Sequence, residues 1–456
     1  GFAPSPVKPG ALAPICPPGL GALIGVAAAI LGARAAFGIV PACGALVIWS
    51  VFLIARRLSS PWSACVAAAL TLANPIFLFQ LFQPMSDVPA AACLLLAVAL
   101  LLERSDARDA GSGVCTGMAI LIRPNLAPLA VPLAWLAWSS SARSCSLTAR
   151  FRSVTVFAVG LLPGLAAALA LNGIVYGAPL QSGYGDASRL FALSHIAPNA
   201  SRYASWLMEV CTPWTVIALA SPFLVRDEGR EARQRQGRAV SVAALGMLAA
   251  LLAIYLPYSV FDNWTYLRFL LPGVVLMVAM SVAATEAVIR RVPLPVRVAV
   301  LATGATLLIA LMVRDGRERG VFSLWQSEAR FTDAAAWIDR NTPAESVIIT
   351  IWHSGSVRFY AGRLSLMWDT FEPAEFDRIV AQLAAAHRTP YLLLESWEVP
   401  SFTQRFAGAT DLARLDWQPR AQIGRDIVLY DLTARDRFHR GESTPSERVF
   451  TTAERT

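Results

Sequence analysis

Between residues 37 and 313 the chain alternates apolar runs with short polar breaks. The runs cover 37–58, 62–82, 88–102, 154–175, 206–225, 240–258, 267–289 and 296–313. Two shorter runs, 114–122 and 126–138, flank Arg123-Pro124-Asn125. They read either as two short tilted helices or as one kinked helix. Since a helix needs about 20 apolar residues to cross the hydrocarbon, the pattern predicts roughly ten spans. Ahead of them, 20–31 is too short to span comfortably and reads as a juxtamembrane helix. A polar loop is expected over 176–203.

Beyond residue 320 the periodicity becomes that of a soluble fold. Phe331, Ala335 and Ile338 give 328–340 helical spacing, and 346–351 is a β-branched strand. A short helix (354–360), a strand (364–368), an amphipathic helix (373–387) and strands at 391–394 and 427–430 follow. Alternating strands and helices predict a small α/β domain with a largely parallel sheet. Residues 435–456 read as a polar, disordered tail. The expected organisation is therefore a partial outer loop and juxtamembrane helix (1–36), a transmembrane bundle (37–313), an α/β domain (320–434) and the tail.

Composition agrees with the pattern. The chain is 55% hydrophobic and 15% charged, where a soluble chain carries about a quarter charged residues. This predicts a polytopic α-helical membrane protein with a C-terminal soluble α/β domain. The net charge of +8 is carried almost wholly by arginine, because Lys8 is the only lysine. The arginines lie in loops between apolar runs, so the charge argues for membrane orientation and not for nucleic acid. Seven cysteines are scattered without a metal-ligand spacing, so neither a structural zinc nor a disulfide framework is expected.

Charge parity orients the spans. One set of alternating breaks holds Arg56, Arg57, Arg104, Arg108, Arg143, Arg150, Arg152, the 226–238 cluster, Arg290, Arg291 and Arg297. The opposite set holds only Arg123, Arg189, Arg202 and Arg268. The first set is expected to be cytoplasmic, which puts the second set and everything after residue 313 outside.

The break Gln83-Pro84-Met85-Ser86-Asp87-Val88-Pro89 falls on the outer side. A carboxylate at the mouth of a membrane bundle is costly to desolvate and marks a functional cavity. Asp87 also suits the cap of the helix that follows, and the two readings are compatible. Arginines on the outer face run against the charge trend. They read as ligands for lipid phosphate, as snorkelling side chains, or as partners of local acids such as Asp186 and Asp262. Tyr184, Asp186, Arg189 and His195 are candidate contacts for a sugar or an acceptor, in a loop rich in turn residues. In the C-terminal part, Ile351-Trp352-His353-Ser354-Gly355-Ser356 lies at the carboxyl end of a strand, where α/β sheets bind ligands. Helix capping by Ser354 or Ser356 explains that stretch equally well. No nucleotide-binding glycine motif occurs, and His353 has no assignable triad.

Several of these stretches occur together in an order that resembles the GT-C superfamily of bacterial membrane glycosyltransferases, in the branch of protein mannosyltransferases and aminoarabinose transferase. They are Pro17-Pro18-Gly19-Leu20, Ala55-Arg56-Arg57-Leu58, Met85-Ser86-Asp87-Val88-Pro89, Leu121-Ile122-Arg123-Pro124-Asn125, the loop 176–184 and Arg268-Phe269-Leu270-Leu271-Pro272. The resemblance implies a helical bundle in the bacterial inner membrane with a soluble periplasmic domain. It implies a polyprenyl-phosphate-linked sugar as donor and a lipid, protein or polysaccharide of the envelope as acceptor. Asp87 takes the place of an acidic residue that acts on the acceptor. Arg123, with Arg268 and Lys8, takes the place of basic residues that hold the carrier phosphate. No cofactor is implied, and a divalent ion bridging Asp87 and phosphate stays open. The family's principal acid lies in the first outer loop, whereas 1–18 contains no Asp or Glu, and Cys16 stands where a lysine precedes the Pro-Pro pair. The chain is accordingly expected to be N-terminally incomplete. Rival readings are a lipid-linked substrate transporter or flippase and a non-catalytic envelope assembly subunit.

Overall fold

The computed structural model describes residues 2–9, 11–103, 105–140, 146–184, 190–225 and 231–455. It separates into two compact units, one of residues 4–321 and one of residues 322–456 with residues 1–3.

The first unit follows the short strands β1 (Phe2–Pro4) and β2 (Leu12–Pro14) with helices α1 (Pro18–Leu31), α2 (Ile39–Leu58), α3 (Pro61–Ala73), α4 (Pro75–Leu81) and α5 (Asp87–Leu101). Next come α6 (Asp106–Ile122), α7 (Ala130–Ser140), α8 (Leu147–Tyr176), α9 (Ile196–Val210) and α10 (Ser221–Leu224). The last three are α11 (Glu231–Tyr255), α12 (Leu271–Val288) and α13 (Leu294–Glu318). Helix starts carry the expected caps. Ser60 accepts from the Ser63 amide with Pro61 at the first turn, and Ser105 accepts from the Arg108 amide with Asp106 and Asp109 against the helix dipole. Gly177 ends α8 in the left-handed region at φ 90°, which a side chain would resist.

Burial is inverted relative to a soluble bundle. Helix α12 is central and buried nearly all round, so its apolar residues face protein on every side. The peripheral helices α8 and α13 expose Val159, Leu162, Ile174, Val300, Leu307 and Leu311. Apolar residues on the outside of closed helices are the signature of a lipid-facing surface.

Among the described residues, five helical stretches are long and apolar enough to cross a membrane, or up to seven if each of two bent pairs is one span. The five are Ala33–Leu58, Leu147–Tyr176, Gly237–Tyr255, Trp264–Val288 and Leu294–Glu318. The expected ten is not reached. At 15 residues, α5 is about 22 Å long, against a hydrocarbon core of about 30 Å. The run 206–225 is not one straight helix: it breaks at Thr212, where φ is 66° and Pro213 follows, and turns through 107°. The expected loop 176–203 is helical from Ile196 onward. On the N-terminal side of Arg123, the helix is longer than its apolar run, starting at Asp106.

Two glycine pairs let α6 and α8 touch backbone to backbone. A Cβ on Gly113 would lie 2.0 Å from the Phe157 carbonyl oxygen, and one on Gly160 would lie 2.2 Å from that of Ala110. One turn further on, a Cβ on Gly164 would lie 2.3 Å from the Gly117 carbonyl carbon. Small residues four apart on both helices are the usual means of such close packing in membranes.

In the second unit, a six-stranded sheet has the order β4–β3–β5–β7–β6–β8. Its strands are β3 (Val347–Ile349), β4 (Leu364–Leu366), β5 (Pro390–Glu395), β6 (Ala421–Ile423), β7 (Ile427–Asp431) and β8 (Glu447–Val449). Around them lie α14 (Leu324–Asn341), α15 (Ser354–Tyr360), α16 (Phe376–Ala385), α17 (Val399–Phe406) and α18 (Arg435–His439). Strands β4, β3, β5, β6 and β8 all run the same way and only β7, between β5 and β6, is reversed, so the sheet is mixed but largely parallel, as expected. The expected disordered tail is instead α18 and β8, with β8 pairing parallel to β6. Alternation along the strands sends Ile348 and Leu393 to a core with Ala335 and Ile338 of α14. On the other face Ile349, Leu392 and Leu394 meet Phe376, Phe402 and Phe406.

Candidate active site

The polar breaks on one side of the chain come together at one end of the bundle. Asp87 is the first residue of α5, but its carboxylate caps nothing: it accepts from Nη1 of Arg123, at the end of α6. The other terminal nitrogen of Arg123, Nη2, donates to the Tyr255 hydroxyl at 2.9 Å, and Asn125 Nδ2 donates to the same oxygen. Both members of the ion pair are buried, the side chains of Asp87 and Arg123 being 5% and 12% exposed. A buried pair of this kind persists only where further hydrogen bonds satisfy it, which Tyr255 and Asn125 supply.

Aromatic rings wall this pair. Tyr255 stacks on Phe269 with ring centres 4.7 Å apart, and Tyr258, Phe261 and Tyr266 pack edge-on around Phe269. Arg123 lies 5.6 Å from the centre of the Phe269 ring, and Arg268 lies 5.4 Å from it. Arg268 also approaches Tyr266 and donates to the Met85 sulfur, while its Nε is buried without a partner. Two guanidinium groups thus share one aromatic ring, a cation–π arrangement that holds like charges close without pairing both.

The helix ends that build this region are tied down locally. Asn199 of α9 donates its side-chain amide to the carbonyls of Tyr255, Leu256 and Tyr258, acceptors left open where α11 ends. Tyr176 donates to the Pro14 carbonyl at 2.9 Å, and Tyr184 donates to the Cys16 sulfur at 3.7 Å. The N-terminal segment therefore packs on the loop that follows α8.

The predicted residues separate into three groups. Asp87, Arg123 and Arg268 converge, and the Tyr184 hydroxyl is close enough to Arg123 to interact with its charge. Lys8 and His195 do not join them. Lys8 is exposed in its own turn, with its backbone amide donating to Ser5 Oγ. His195 sits with Nδ1 3.2 Å from the Pro257 carbonyl, beside the Phe191–Tyr258 bridge, which is a packing role. Arg202 is paired with Asp262. Asp186 and Arg189 lie outside the described residues. Sequence reasoning missed Tyr255, which closes an apolar run and reads there as one more buried ring. The available signal was the density of aromatics at positions 255, 258, 261, 264, 266 and 269, all near one predicted outer break.

The other end of the bundle differs. Glu103 pairs with Arg57 and Arg108 there, and Glu286 accepts from the Ser60 amide at 2.8 Å. Among the described residues, no three His, Cys, Asp or Glu side chains converge on a metal-sized site.

The described residues thus build an apolar helical bundle with a buried carboxylate, two arginines and an aromatic wall at one end, and comparisons with known proteins show what the chain is similar to. The sequence profile described as dolichyl-phosphate-mannose-protein mannosyltransferase matches residues 16–167, a stretch that includes Asp87 and Arg123. The solved structure of ArnT from Cupriavidus metallidurans in the apo state aligns with a TM-score of 0.53 at 15% identity, over 91% of this chain and 87% of that one. The same protein bound to undecaprenyl phosphate gives 0.54 at 14% identity with the same coverage. The Archaeoglobus fulgidus oligosaccharyltransferase tethered with an acceptor peptide gives 0.54 at 13% identity, over 89% of this chain and 64% of that one. No curated protein matches by sequence. At these identities the structural likeness shows the fold, and the chemistry rests on the residues.

Proposed function

We propose that this chain transfers a sugar from a polyprenyl-phosphate carrier to an envelope acceptor, at the outer face of a bacterial inner membrane. The observation that carries this reading is the placement of Arg123 and Arg268 around Phe269, next to the buried carboxylate of Asp87. In such a transfer the bond between sugar C1 and phosphate oxygen breaks, and the departing carrier phosphate gains charge. Two preorganised guanidinium groups in a water-poor site stabilise that charge. The acceptor hydroxyl or amine loses its proton as it attacks C1, and Asp87 is the group to take it. In the structure Asp87 is held by Arg123. A phosphate reaching Arg123 competes for its donors and frees the carboxylate, so donor arrival would arm the base. A divalent ion between Asp87 and phosphate would do the same electrostatic work by another route.

Sidedness follows the same reading. Arg319, just after α13, lies 5.1 Å from the Trp264 ring, in the segment that carries Arg268. The chain therefore leaves the bundle at the Asp87 end, which supports a periplasmic C-terminal unit. A lipid-linked substrate flippase is the second reading. It is favoured by the meeting of two helix breaks, where Asn74 Nδ2 contacts the Cys211 sulfur at 3.5 Å.

The test is single-turnover consumption of a polyprenyl-phosphate-linked sugar by the chain in lipid nanodiscs. Wild type is expected to bind and consume it. Asp87→Asn should bind it and lose transfer by about 10²–10⁴-fold. Donor binding and passage across the bilayer without any consumption would favour the flippase, and no binding at all would remove both readings.

A further inference from the structure

The carboxyl edge of the C-terminal sheet carries a second polar site that the transfer chemistry does not use. Strands β3 and β5 are adjacent and parallel, yet the chain leaves them in opposite directions, from β3 through α15 to β4 and from β5 through α17 towards β6 and β7. Such a divergence opens a crevice at the carboxyl ends, where α/β sheets bind ligands. The turn after β3 brings Trp352 and His353 there, and the turn after β5 brings Ser396, Trp397 and Glu398. Ser354 and Ser356 do not cap α15 with their side chains, so capping does not account for this stretch.

The crevice has a built floor. Glu395 is buried and accepts from Arg330 Nε at 2.9 Å and from the Trp397 indole at 3.2 Å, and it lies 3.2 Å from His353 Nε2. His353 is fully buried, and its Nδ1 has no partner. Above this floor Trp352 and Trp397 are 52% and 54% exposed, packed edge to face with ring centres 5.2 Å apart. Alongside lies a cavity of about 680 Å³ whose lining includes Gln326, Ser327, Arg330, Arg425, Asp426 and Arg448. The Ser396 amide donates to the Asp426 carbonyl at 2.6 Å, which joins the cavity wall to the tryptophan turn.

Charge selects the ligand. Arg330 is matched by Glu395, Arg425 by Glu454, and Arg448 lies over Phe450. The site is therefore nearly neutral while rich in donors and acceptors, which suits a polyhydroxylated ligand better than phosphate. Half-exposed indoles, that of Trp397 held by its hydrogen bond to Glu395, offer flat apolar faces to the C–H faces of sugar rings, with polar groups at their edges. A membrane-inserting pair would instead stand among apolar residues. We propose that the carboxyl edge of this sheet is a saccharide-binding subsite, with Trp352 and Trp397 as the stacking platform and Arg330, Glu395 and Asp426 as its polar partners. The subsite is independent of the transfer reading, because binding is measured without donor or turnover.

The experiment titrates the full chain in detergent micelles with maltotriose, mannotriose and chitotriose, by tryptophan fluorescence and saturation-transfer NMR, with inorganic phosphate in parallel. At least one trisaccharide is expected to bind saturably, with affinity falling tenfold or more in the Trp352→Ala/Trp397→Ala variant. Trp397→Phe, which keeps a six-membered ring but loses the pyrrole ring with its N–H, should fall less. Both tryptophans are half exposed, so neither change opens a core. Failure of all three trisaccharides to bind, equal binding by the double variant, or preferential binding of phosphate would each overturn the proposal.

Discussion

Asp87 in the bundle and Glu395 in the sheet unit are both buried carboxylates facing an arginine, but they are satisfied differently. Asp87 has one cation, Arg123, and that cation is itself held by Tyr255. Glu395 is shared among Arg330, His353 and the Trp397 indole. Burial pushes Glu395 up, and His353 and Arg330 more than reverse this, so it titrates below the usual carboxylate range. Three residues on, Glu398 is buried with no cation of its own and is pushed up to about 7. Burial alone therefore does not decide whether an acid is charged; the donors around it do. The bundle site has a single point of failure, whereas the sheet site is redundant.

Four measurements press on that contrast. Arg123→Ala leaves Asp87 buried and unpaired, and is expected to cost about 3–5 kcal/mol, read as a loss of thermal stability in detergent. Replacing both partners by apolar residues, Asp87→Leu with Arg123→Met, should recover most of it while transfer stays absent. Full stability in Arg123→Ala alone would show that water already reaches the pair.

The second effect is pH-dependent. Glu398 is protonated in the folded unit at pH values where the unfolded chain is ionised, so its contribution to stability is complete below the usual carboxylate range. That contribution declines as pH rises to about 7. Glu395 acts in the opposite sense, its stabilisation being lost as pH falls through its depressed value. The exchange rate of the Leu392–Leu394 amides, divided by its intrinsic base-catalysed rate, should therefore rise between the usual carboxylate range and about pH 7. Glu398→Gln should flatten that rise.

Third, Tyr255→Phe deletes one acceptor shared by Arg123 and Asn125, and should cost about 1–3 kcal/mol and weaken donor binding with little change elsewhere. Smallest is Glu103→Gln at the other end of the bundle. Its pairs with Arg57 and Arg108 are 40–44% exposed, and the change should stay within about 1 kcal/mol. A larger loss would mean that both ends are built alike.

How much of this was legible in the sequence depends on what each residue stands out against. Asp87, Arg123 and Arg268 are charges in apolar surroundings, so their placement at one end followed from counting runs. Their pairing did not follow, because Asp87 and Arg123 are brought together by two helix ends separated by α5 and α6. Tyr255 does not contrast with its run and stayed hidden. The fold class of the bundle was legible, but span lengths were not, since a kink at Thr212-Pro213 leaves hydropathy unchanged. In the second unit β3, β5 and β7 show as apolar runs buried in the middle of the sheet. Strand β8, Glu447–Val449, is a charged edge strand, and edges are made polar to discourage pairing with other chains, so it reads as tail.

The glycine contact between α6 and α8 has a consequence for how the chain is made. Helix α6 begins with Asp106, Arg108 and Asp109 and has few strongly apolar residues, so it is a poor substrate for insertion by itself. Its natural partner, α8, starts at Leu147, 25 residues after α6 ends at Ile122, and is predominantly apolar beyond Arg152. The ribosome must therefore deliver α8 before α6 can settle, and the two are expected to enter the bilayer as one parcel. A bulky residue at Gly113 or Gly160 would then be felt first during biosynthesis, as a chain handed to quality control before it is ever folded.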